Sequence, residues 1–427
     1  MIRQVRALLK DEQFKERHRT EEKCFTRTRV LTFPLMILLM LQKSAKGMQL
    51  VLNEFFSKLK RRPVSSSAFT QARRHVSHRA FIELNQKAVV ATCYSDGEYQ
   101  RYKGFRLLAI DGSKIHLPDT PAIREAFGTV DHHPRGGQPQ PFALASVVYD
   151  LLNRVALDAQ LVEGKAYEVN LALQQLELLQ ADDLIVFDRN YPDYVLLAQL
   201  SQRQRHFIGR CRRSSFKVVR PMLDGYGPDS QVVSIRAPKR ARRRVRELGL
   251  PEQITVRLVR LILPTGDFEV LITSLLDATQ FPIAELGQVY HWRWGEETFY
   301  GVLKTRLELE NFSGQTVEAI KQDFHAAVFI TGLETFFIEA AQTELQRRSS
   351  HNRYPQQVNK NVSFNAIKNH VLDLFYRETD ETVILKQLTD LFLQKPIMVR
   401  QGRTVPRRKS HSRKLLHYHR RRKKICF

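Results

Sequence analysis

One stretch of the chain, DDLIVFDRNYPDYVLLAQL (residues 182–200), constrains the fold more than any other. Its apolar run has the length and composition of a strand that is buried on both faces. Pro192 follows this run and is typical of the first turn of a helix. A buried strand that leads into a helix predicts an α/β fold. Because ligands of such folds gather at the carboxyl ends of strands, Asp188 is a candidate functional residue.

A second acidic residue, Asp111, follows another apolar run in RLLAIDGSKIHLP (residues 106–118). The pattern predicts a strand that ends at Asp111, a tight turn and a second strand, joined as a hairpin. Residues 141–152 and 155–164 have the pattern of further strands of the same sheet. We therefore expect Asp111, like Asp188, at a sheet edge that is suited to binding a ligand.

The charge balance predicts a polyanionic partner. The 427 residues include 68 Lys and Arg against 44 Asp and Glu, which gives a formal net charge of +24. Such an excess attracts nucleic acid through release of counterions from phosphate. The longest apolar run, residues 30–41, is shorter than the roughly 20 residues of a membrane-spanning helix and contains Pro34. We expect that run to form a buried helix, and we expect a cytoplasmic, nucleoid-associated protein with no membrane partner.

The first segment, residues 1–98, has apolar positions at helical spacing and predicts a helical domain. Within it, the serines that precede AFTQARRHV are typical helix caps. This layout suits a small DNA-binding unit in which Arg73 and Arg74 are exposed and contact DNA. A plain helical hairpin with a basic face fits the same pattern.

A β-rich segment, residues 201–280, separates Asp188 from the later helices, and we expect it to be an insertion rather than part of the first sheet. Its residues 236–246 include seven Lys or Arg, among which Arg240, Arg242 and Arg243 are candidate DNA contacts. A solvated loop is the alternative. Residues 346–399 are predicted to be helical, and the basic tail, residues 400–427, is expected to become ordered only on a polyanion.

The stretch YHWRWGEETFYGVLK (residues 290–304) carries four polar residues at unusual spacing. In a regular helix Tyr290, Arg293, Glu297 and Lys304 project within an arc of roughly 60°, since each residue turns by about 100°. We expect Arg293 and Lys304 to be exposed on that face. The other side of the helix is apolar and can pack against a core through Trp292, Phe299, Val302, Leu303 and Leu307. An amphipathic helix without a special function is the alternative.

The candidate metal-binding residues are those of an oxygen-ligand site for Mg²⁺ or Mn²⁺ rather than those of a zinc site. The four cysteines lie far apart without a CxxC pair, so neither a disulfide framework nor a structural zinc site is predicted. We assign His132, His133 and His417–His419 to a loop and the tail. Three carboxylates stand out by position: Asp111 and Asp188 at predicted strand ends, and Glu297 on a helix after the insertion. In so basic a chain, acids at strand ends need a reason, and Mg²⁺ and Mn²⁺ prefer carboxylate oxygens.

Three motifs together resemble those of the bacterial IS4-family transposases, which belong to the DDE transposase and integrase group. They are AIDGSKIHLP, VFDRNYPDY and YHWRWGEETFYGVLKTRLELENFSG. In the third, the family signature of Tyr, two residues, Arg, three residues, Glu, six residues and Lys falls on Tyr290, Arg293, Glu297 and Lys304. The resemblance covers most of residues 20–345. It implies a ribonuclease H-like catalytic core, residues 99–200 and 281–345, interrupted by the insertion.

The resemblance also implies a mechanism. Asp111, Asp188 and Glu297 would hold two Mg²⁺ (or Mn²⁺) ions, while Tyr290, Arg293 and Lys304 would contact phosphates of the transposon end. The expected function is a transposase that cleaves double-stranded DNA at inverted-repeat ends and joins the 3′ hydroxyls to target DNA, as a homodimer in the DNA complex. The alternative is a non-catalytic DNA-binding protein derived from a transposase.

Overall fold

The computed structural model describes residues 1–27, 30–130 and 138–400, and within these ranges the fold is mixed α/β. The predictions for His132, His133, His417–His419 and the tail beyond residue 400 lie outside the described residues. By contacts the chain divides into two compact units. The first comprises Met1–Gly97, Ile115–Ala143 and Gly301–Phe427, and the second comprises Glu98–Lys114 and Leu144–Tyr300.

The described α-helices and β-strands follow one another along the whole chain. The helices are α1 Ile2–Lys10, α2 Glu12–His18, α3 Phe33–Leu41, α4 Met48–Lys58, α5 Ser66–Arg73, α6 Arg79–Leu84, α7 Ala91–Tyr94, α8 Pro121–Phe127, α9 Glu168–Gln175, α10 Tyr194–Gln202, α11 Val219–Leu223, α12 Arg242–Glu247, α13 Ile283–Trp292, α14 Trp294–Gly301, α15 Val317–Phe337, α16 Glu339–Arg348, α17 Lys360–Asn369, α18 Val371–Phe375 and α19 Glu381–Gln394. The strands are β1 Arg106–His116, β2 Thr129–Val130, β3 Gln140–Asp150, β4 Val155–Glu163, β5 Asp183–Phe187, β6 His206–Arg210, β7 Ser230–Arg236, β8 Gln253–Ile262, β9 Phe268–Thr273, β10 Gln356–Gln357 and β11 Ile397–Met398. Two π-helical turns, Asn85–Val90 and Val302–Arg306, and a 3₁₀ turn, Leu176–Leu178, complete the description.

The main sheet has the strand order β2-β3-β1-β5-β6-β9-β8-β7, with β4 also paired to β3. Strand β5 pairs in parallel with β1 on one side and with β6 on the other, and β6 then pairs antiparallel with β9. The prediction that residues 201–280 lie outside the first sheet is therefore wrong. A Cβ atom at Gly209 of β6 would lie 2.2 Å from the ring of Phe187, so a glycine lets the two strands approach.

The core of the second unit joins the sheet to helix α13. Leu286, Val289 and Tyr290 of α13 pack in one buried cluster with Leu184 and Val186 of β5 and with side chains of β1, β6, β8 and β9. Each fully buried Leu or Val contributes about 1.5 to 3 kcal/mol relative to an exposed position. The strand that precedes Asp188 and the helix that begins the 290–304 stretch are thereby fixed to each other.

The first unit is mainly helical. Helix α3, which contains most of the long apolar run, is buried along its whole length, so the prediction of a buried helix there is confirmed. Within the described ranges, no single helix is long and apolar enough to cross a membrane, although α15 and α16, bent by 48° at their break, meet the length and composition test as a pair.

Arg73 differs from its prediction. Its side chain is buried in the first unit, where Nη2 donates to Asp323 Oδ1 at 2.7 Å and Nη1 donates to Ser313 Oγ at 2.7 Å. The prediction that Arg73 is exposed is wrong, because its charge is satisfied by a buried carboxylate. Arg74, one residue later, is exposed as predicted.

Candidate active site

Asp111 and Asp188 occupy equivalent positions on neighbouring parallel strands. The register of β1 and β5 ends with Ile110 opposite Phe187, and each aspartate is the next residue of its strand segment. Neighbouring strands lie roughly 4.7 to 4.9 Å apart, so the two aspartates lie side by side where the pairing of β1 with β5 ends. The local structure around Asp111 differs from the prediction, because β1 is one continuous strand through residue 116 rather than a hairpin.

Burial dominates the electrostatics of Asp111. Burial raises its pKa to about 7, and repulsion from Glu168 and Asp188 adds to the increase. The backbone N–H of Gly112, which donates to Asp111 Oδ1 at 2.8 Å, and the positive charge of Arg293 act in the opposite direction. Burial and repulsion outweigh the Gly112 N–H and Arg293 at this half-buried acid. An additional cation nearby would therefore stabilise its charged form.

Tyr290 and Arg293 connect Asp188 to Glu297. The hydroxyl of Tyr290 donates to Asp188 Oδ1 at 3.5 Å, and Arg293 Nη2 donates to Glu297 Oε1 at 3.2 Å. The Arg293 guanidinium lies over the Tyr290 ring, 5.6 Å from its centroid. The structure therefore brings four of the predicted residues, Asp188, Tyr290, Arg293 and Glu297, into one line of contacts within the second unit.

The burial of Arg293 was not expected. Only 3% of the residue is exposed, and its Nε and Nη1 atoms have no hydrogen-bond partner among the described residues. The prediction that Arg293 is an exposed charge is wrong, because the residue is enclosed with Tyr290 near the sheet edge. Leaving the Nε and Nη1 donors of a buried guanidinium unpaired costs free energy unless a further acceptor reaches them.

The stretch from residue 290 to 304 is helical but not one regular helix. Helix α13 ends at Trp292, α14 begins at Trp294, and a π-helical turn follows at Val302–Arg306. The prediction of four residues on one regular helical face is therefore wrong, although Tyr290 and Glu297 both contact Arg293. Lys304 is half-buried and lies in the first unit.

The predicted apolar side of this stretch is confirmed. Four of its members are buried: Phe299, Val302, Leu303 and Leu307. The fifth, Trp292, is partly buried against the core cluster of the second unit. The apolar face supplies stability, while the polar residues of the 290–297 segment remain available for the site.

Two acidic residues near Asp111 were not predicted. Glu296 is fully buried, and its two carboxylate oxygens have no hydrogen-bond partner among the described residues. Its burial, followed by repulsion from Asp111, raises its pKa well above the ordinary value. Glu168, at the start of α9, lies against Gly112. The glycine after Asp111 was the one available signal, since a glycine inside a strand often marks a close approach.

The donor atoms of this site suit a hard divalent cation, since Asp111, Asp188, Glu168 and Glu297 offer only carboxylate oxygens. In the ranges that the structure describes, no three His, Cys, Asp or Glu side chains are close enough together to hold a metal ion. The negative charge around Asp111 fits a cation in its chemistry, because burial and the repulsion among Asp111, Asp188 and Glu168 outweigh the favourable contacts and raise the pKa of Asp111 and of Glu168.

Three predicted DNA contacts lie on the surface of the second unit. Arg240, Arg242 and Arg243 are exposed in and before α12, which is anchored by the buried Val245. Arg243 also pairs with Glu247 at 3.2 Å. The exposed basic side chains are free of the core and are placed to meet a polyanion.

Comparison with known proteins identifies the class. Residues 102–333, more than half of the chain, match the family model described as the transposase DDE domain, and the chain belongs to this family. The matched range contains the site described above. The resemblance to the IS4-family transposases that the sequence motifs indicate is thereby confirmed.

Two curated proteins are similar to this chain. Transposase InsG for insertion sequence element IS4, from Escherichia coli (strain K12), is 28% identical over 265 residues, which cover 60% of this chain and 58% of the relative. Putative transposase InsZ of the same organism is 26% identical over 152 residues, 34% of this chain and 49% of the relative. The alignments thus span about half the length of these curated relatives. A solved piggyBac transposase synaptic complex with hairpin DNA has a TM-score of 0.42 at 10% identity and covers 97% of this chain and 85% of its own.

Proposed function

We propose that the protein is a DNA transposase that cleaves at the inverted-repeat ends of an insertion sequence and joins the freed 3′ hydroxyls to target DNA. The observation that carries the proposal is the register of β1 and β5, which sets Asp111 beside Asp188 in a chain of the DDE family. Under this proposal the sheet forms a ribonuclease H-like core, and residues 201–280 are an insertion whose strands extend the same sheet.

Asp111, Asp188 and Glu297 would hold two Mg²⁺ or Mn²⁺ ions. When bound, such ions activate an attacking hydroxyl and stabilise the leaving oxygen of a phosphodiester. Tyr290 has a role in orienting these ligands: burial raises its pKa to about 12, so it keeps its proton and donates toward Asp188. Asp188 is thereby held as an acceptor beside Asp111.

Arg293 and Lys304 would contact phosphates of the DNA end. The two unpartnered donors of Arg293 support this role, because a phosphate oxygen would satisfy groups that are costly to leave buried and unpaired. Arg74, Arg240, Arg242 and Arg243 would add contacts to the sugar-phosphate backbone, which position DNA without reading its sequence. The active species would be a homodimer bound to two DNA ends.

The proposal is tested by cleavage of DNA that carries the short inverted repeats flanking the gene. We expect nicks at the repeat ends in Mg²⁺, none in EDTA, and recovery on addition of Mn²⁺. Products are mapped by denaturing gel electrophoresis, and a scrambled repeat is the control. Binding to the repeats without metal-dependent cleavage would contradict the proposal and favour a non-catalytic DNA-binding protein.

A separate expectation concerns the exposed basic residues of α12 and the loop before it. The triple variant Arg240→Gln, Arg242→Gln, Arg243→Gln should flatten the dependence of log K on log salt by about 0.9 units for each phosphate that the protein no longer neutralises. The measurement is fluorescence anisotropy of labelled DNA between low and moderate salt. The matched control, Arg347→Gln with Arg348→Gln, removes exposed charges that already pair with Glu344. Equal slopes for the triple variant and the parent protein would assign these arginines to solvent.

A further inference from the structure

Glu168 lies where the Asp111 strand and the segment after Asp188 come together. Its side chain contacts Gly112, since a Cβ atom built on that glycine would lie 3.0 Å from both Glu168 Cγ and Oε1. On the other side, Asn190 Nδ2 donates to Glu168 Oε2 at 3.5 Å. The carboxylate is thus bordered by the neighbours of both aspartates.

Gly112 is explained by this contact. It lies inside β1 and does not have the positive backbone φ that favours glycine in turns. A Cβ atom at this position would press tightly on the Glu168 side chain, which would have to shift slightly, so the glycine provides space for the carboxylate. The DG pair of the first motif therefore has a steric purpose that involves a residue from another part of the chain.

Among the described residues, Glu168 has no oppositely charged side chain at ion-pair distance. Burial raises the pKa of Glu168, and repulsion from Asp188 adds to the increase, while Asn190, Lys114 and Arg212 lower it. Glu168 in turn raises the pKa of Asp111. The fully buried and unpartnered Glu296, which is also repelled by Asp111, adds a second negative group to this region.

We infer that Glu168 is a fourth carboxylate of the catalytic centre, a positioning residue that increases the affinity for the divalent cation held beside Asp111 and Asp188. This inference rests on the proposed metal-dependent function. Groups around a metal site that act through the direct ligands typically change metal affinity by about 10-fold to 100-fold when they are replaced.

The competing role is structural, in which Glu168 only anchors Asn190 and fills the space above Gly112. The two roles predict opposite behaviour of the metal-free protein. A structural anchor stabilises the fold, so its removal lowers the Tm. A carboxylate held against other carboxylates destabilises the metal-free fold, so replacement by the isosteric glutamine should leave the Tm unchanged or raise it.

The test measures Mn²⁺ affinity by electron paramagnetic resonance of free Mn²⁺ and measures Tm in EDTA on the same samples. For Glu168→Gln we expect affinity to fall roughly 10-fold with a Tm equal to or above that of the parent protein. Glu163→Gln is the control, since Glu163 is an exposed carboxylate at the end of β4 in the same unit. Unchanged affinity, or a Tm that falls, overturns the inference.

A double-variant cycle tests the role of Gly112. Gly112→Ala should weaken Mn²⁺ binding when Glu168 is present and should have less than half that effect in a Glu168→Ala background, because the tight contact is then absent. Equal effects in both backgrounds overturn the steric link.

The variants Asp111→Asn and Asp188→Asn distinguish failure of the metal site from failure of the role of Glu168. If these two variants also leave the Mn²⁺ affinity unchanged, the proposed metal site itself fails. If they lose Mn²⁺ affinity while Glu168→Gln keeps it, only the role of Glu168 is overturned.

Discussion

Replacing Asp111 or Asp188 by asparagine, or Glu297 by glutamine, is expected to reduce Mg²⁺-dependent cleavage of inverted-repeat DNA on the order of 10³-fold or more. Effects of this size accompany loss of groups that act directly on the reacting atoms. Binding to the DNA ends, measured in EDTA by anisotropy, should change little, because the substitutions remove negative charge and leave the basic surface intact. The stability of Asp111→Asn should be retained, since Asp111 is held in a half-buried, repulsive environment.

A matched control for these variants lies at the other end of the same strand. Asp182 immediately precedes β5, is half-buried and pairs with Arg101 at 3.2 Å. Asp182→Asn removes the same charge from the same strand while leaving the candidate site untouched, so cleavage should stay near the parent rate. Cleavage that persists in Asp111→Asn, Asp188→Asn or Glu297→Gln would remove that residue from the catalytic set.

The local part of this site could be predicted from the sequence. Asp188 was found because a buried strand followed by an acid is a pattern within a few residues, and β5 confirms the strand. The hairpin after Asp111 was wrong because a glycine in a DG pair also occurs where space is needed, and only the fold reveals that Glu168 fills it. Contacts between distant segments leave no periodicity in the sequence.

Burial of charge was the other limit of sequence reasoning. Arginines on predicted helices were expected at the surface, because charged residues are seldom buried unless they are paired. Arg293 is enclosed beside Tyr290, and Arg73 pairs with Asp323, a residue 250 positions away in the sequence. Asp323 cannot be identified from local patterns, and although Tyr290 is close to Arg293 in the sequence, the local pattern does not show that the two are enclosed. The buried helix α3, by contrast, was predictable because its apolar composition is itself local.

The buried pair of Arg73 and Asp323 gives the second large expectation. Arg73→Ala should reduce the free energy of unfolding by about 3 to 5 kcal/mol, because it leaves the Asp323 carboxylate buried without its main counter-charge. The side chains are 4% and 0% exposed, and Ser313 also donates its backbone N–H to Asp323 Oδ2 at 2.7 Å. Urea unfolding at pH 7, followed by far-UV circular dichroism, measures the change.

The dependence on pH follows from the direction of the Asp323 shift. Burial opposes the charge of Asp323, but Arg73, Lys43 and Ser313 together lower its pKa below the ordinary value. The unfolded carboxyl has a pKa of about 3.9, so the stabilisation is fully present above that pH and is lost as the pH falls below it. The difference in stability between the parent protein and Asp323→Asn should therefore shrink as the pH falls below about 4.

Arg74→Ala is the control for Arg73→Ala. It removes a positive charge at the end of α5 without breaking the buried pair of Arg73 and Asp323. Arg74 is the exposed neighbour of Arg73, so its removal should change stability by no more than about 0.5 kcal/mol. The double variant Arg73→Met with Asp323→Leu should recover much of the stability that Arg73→Ala loses, since no unpaired charge then remains in the interior. If Arg73→Ala and Arg74→Ala cost the same, Arg73 does not link α5 to α15. If both weaken DNA binding equally at full stability, the DNA-contacting role predicted for Arg73 from the sequence is restored.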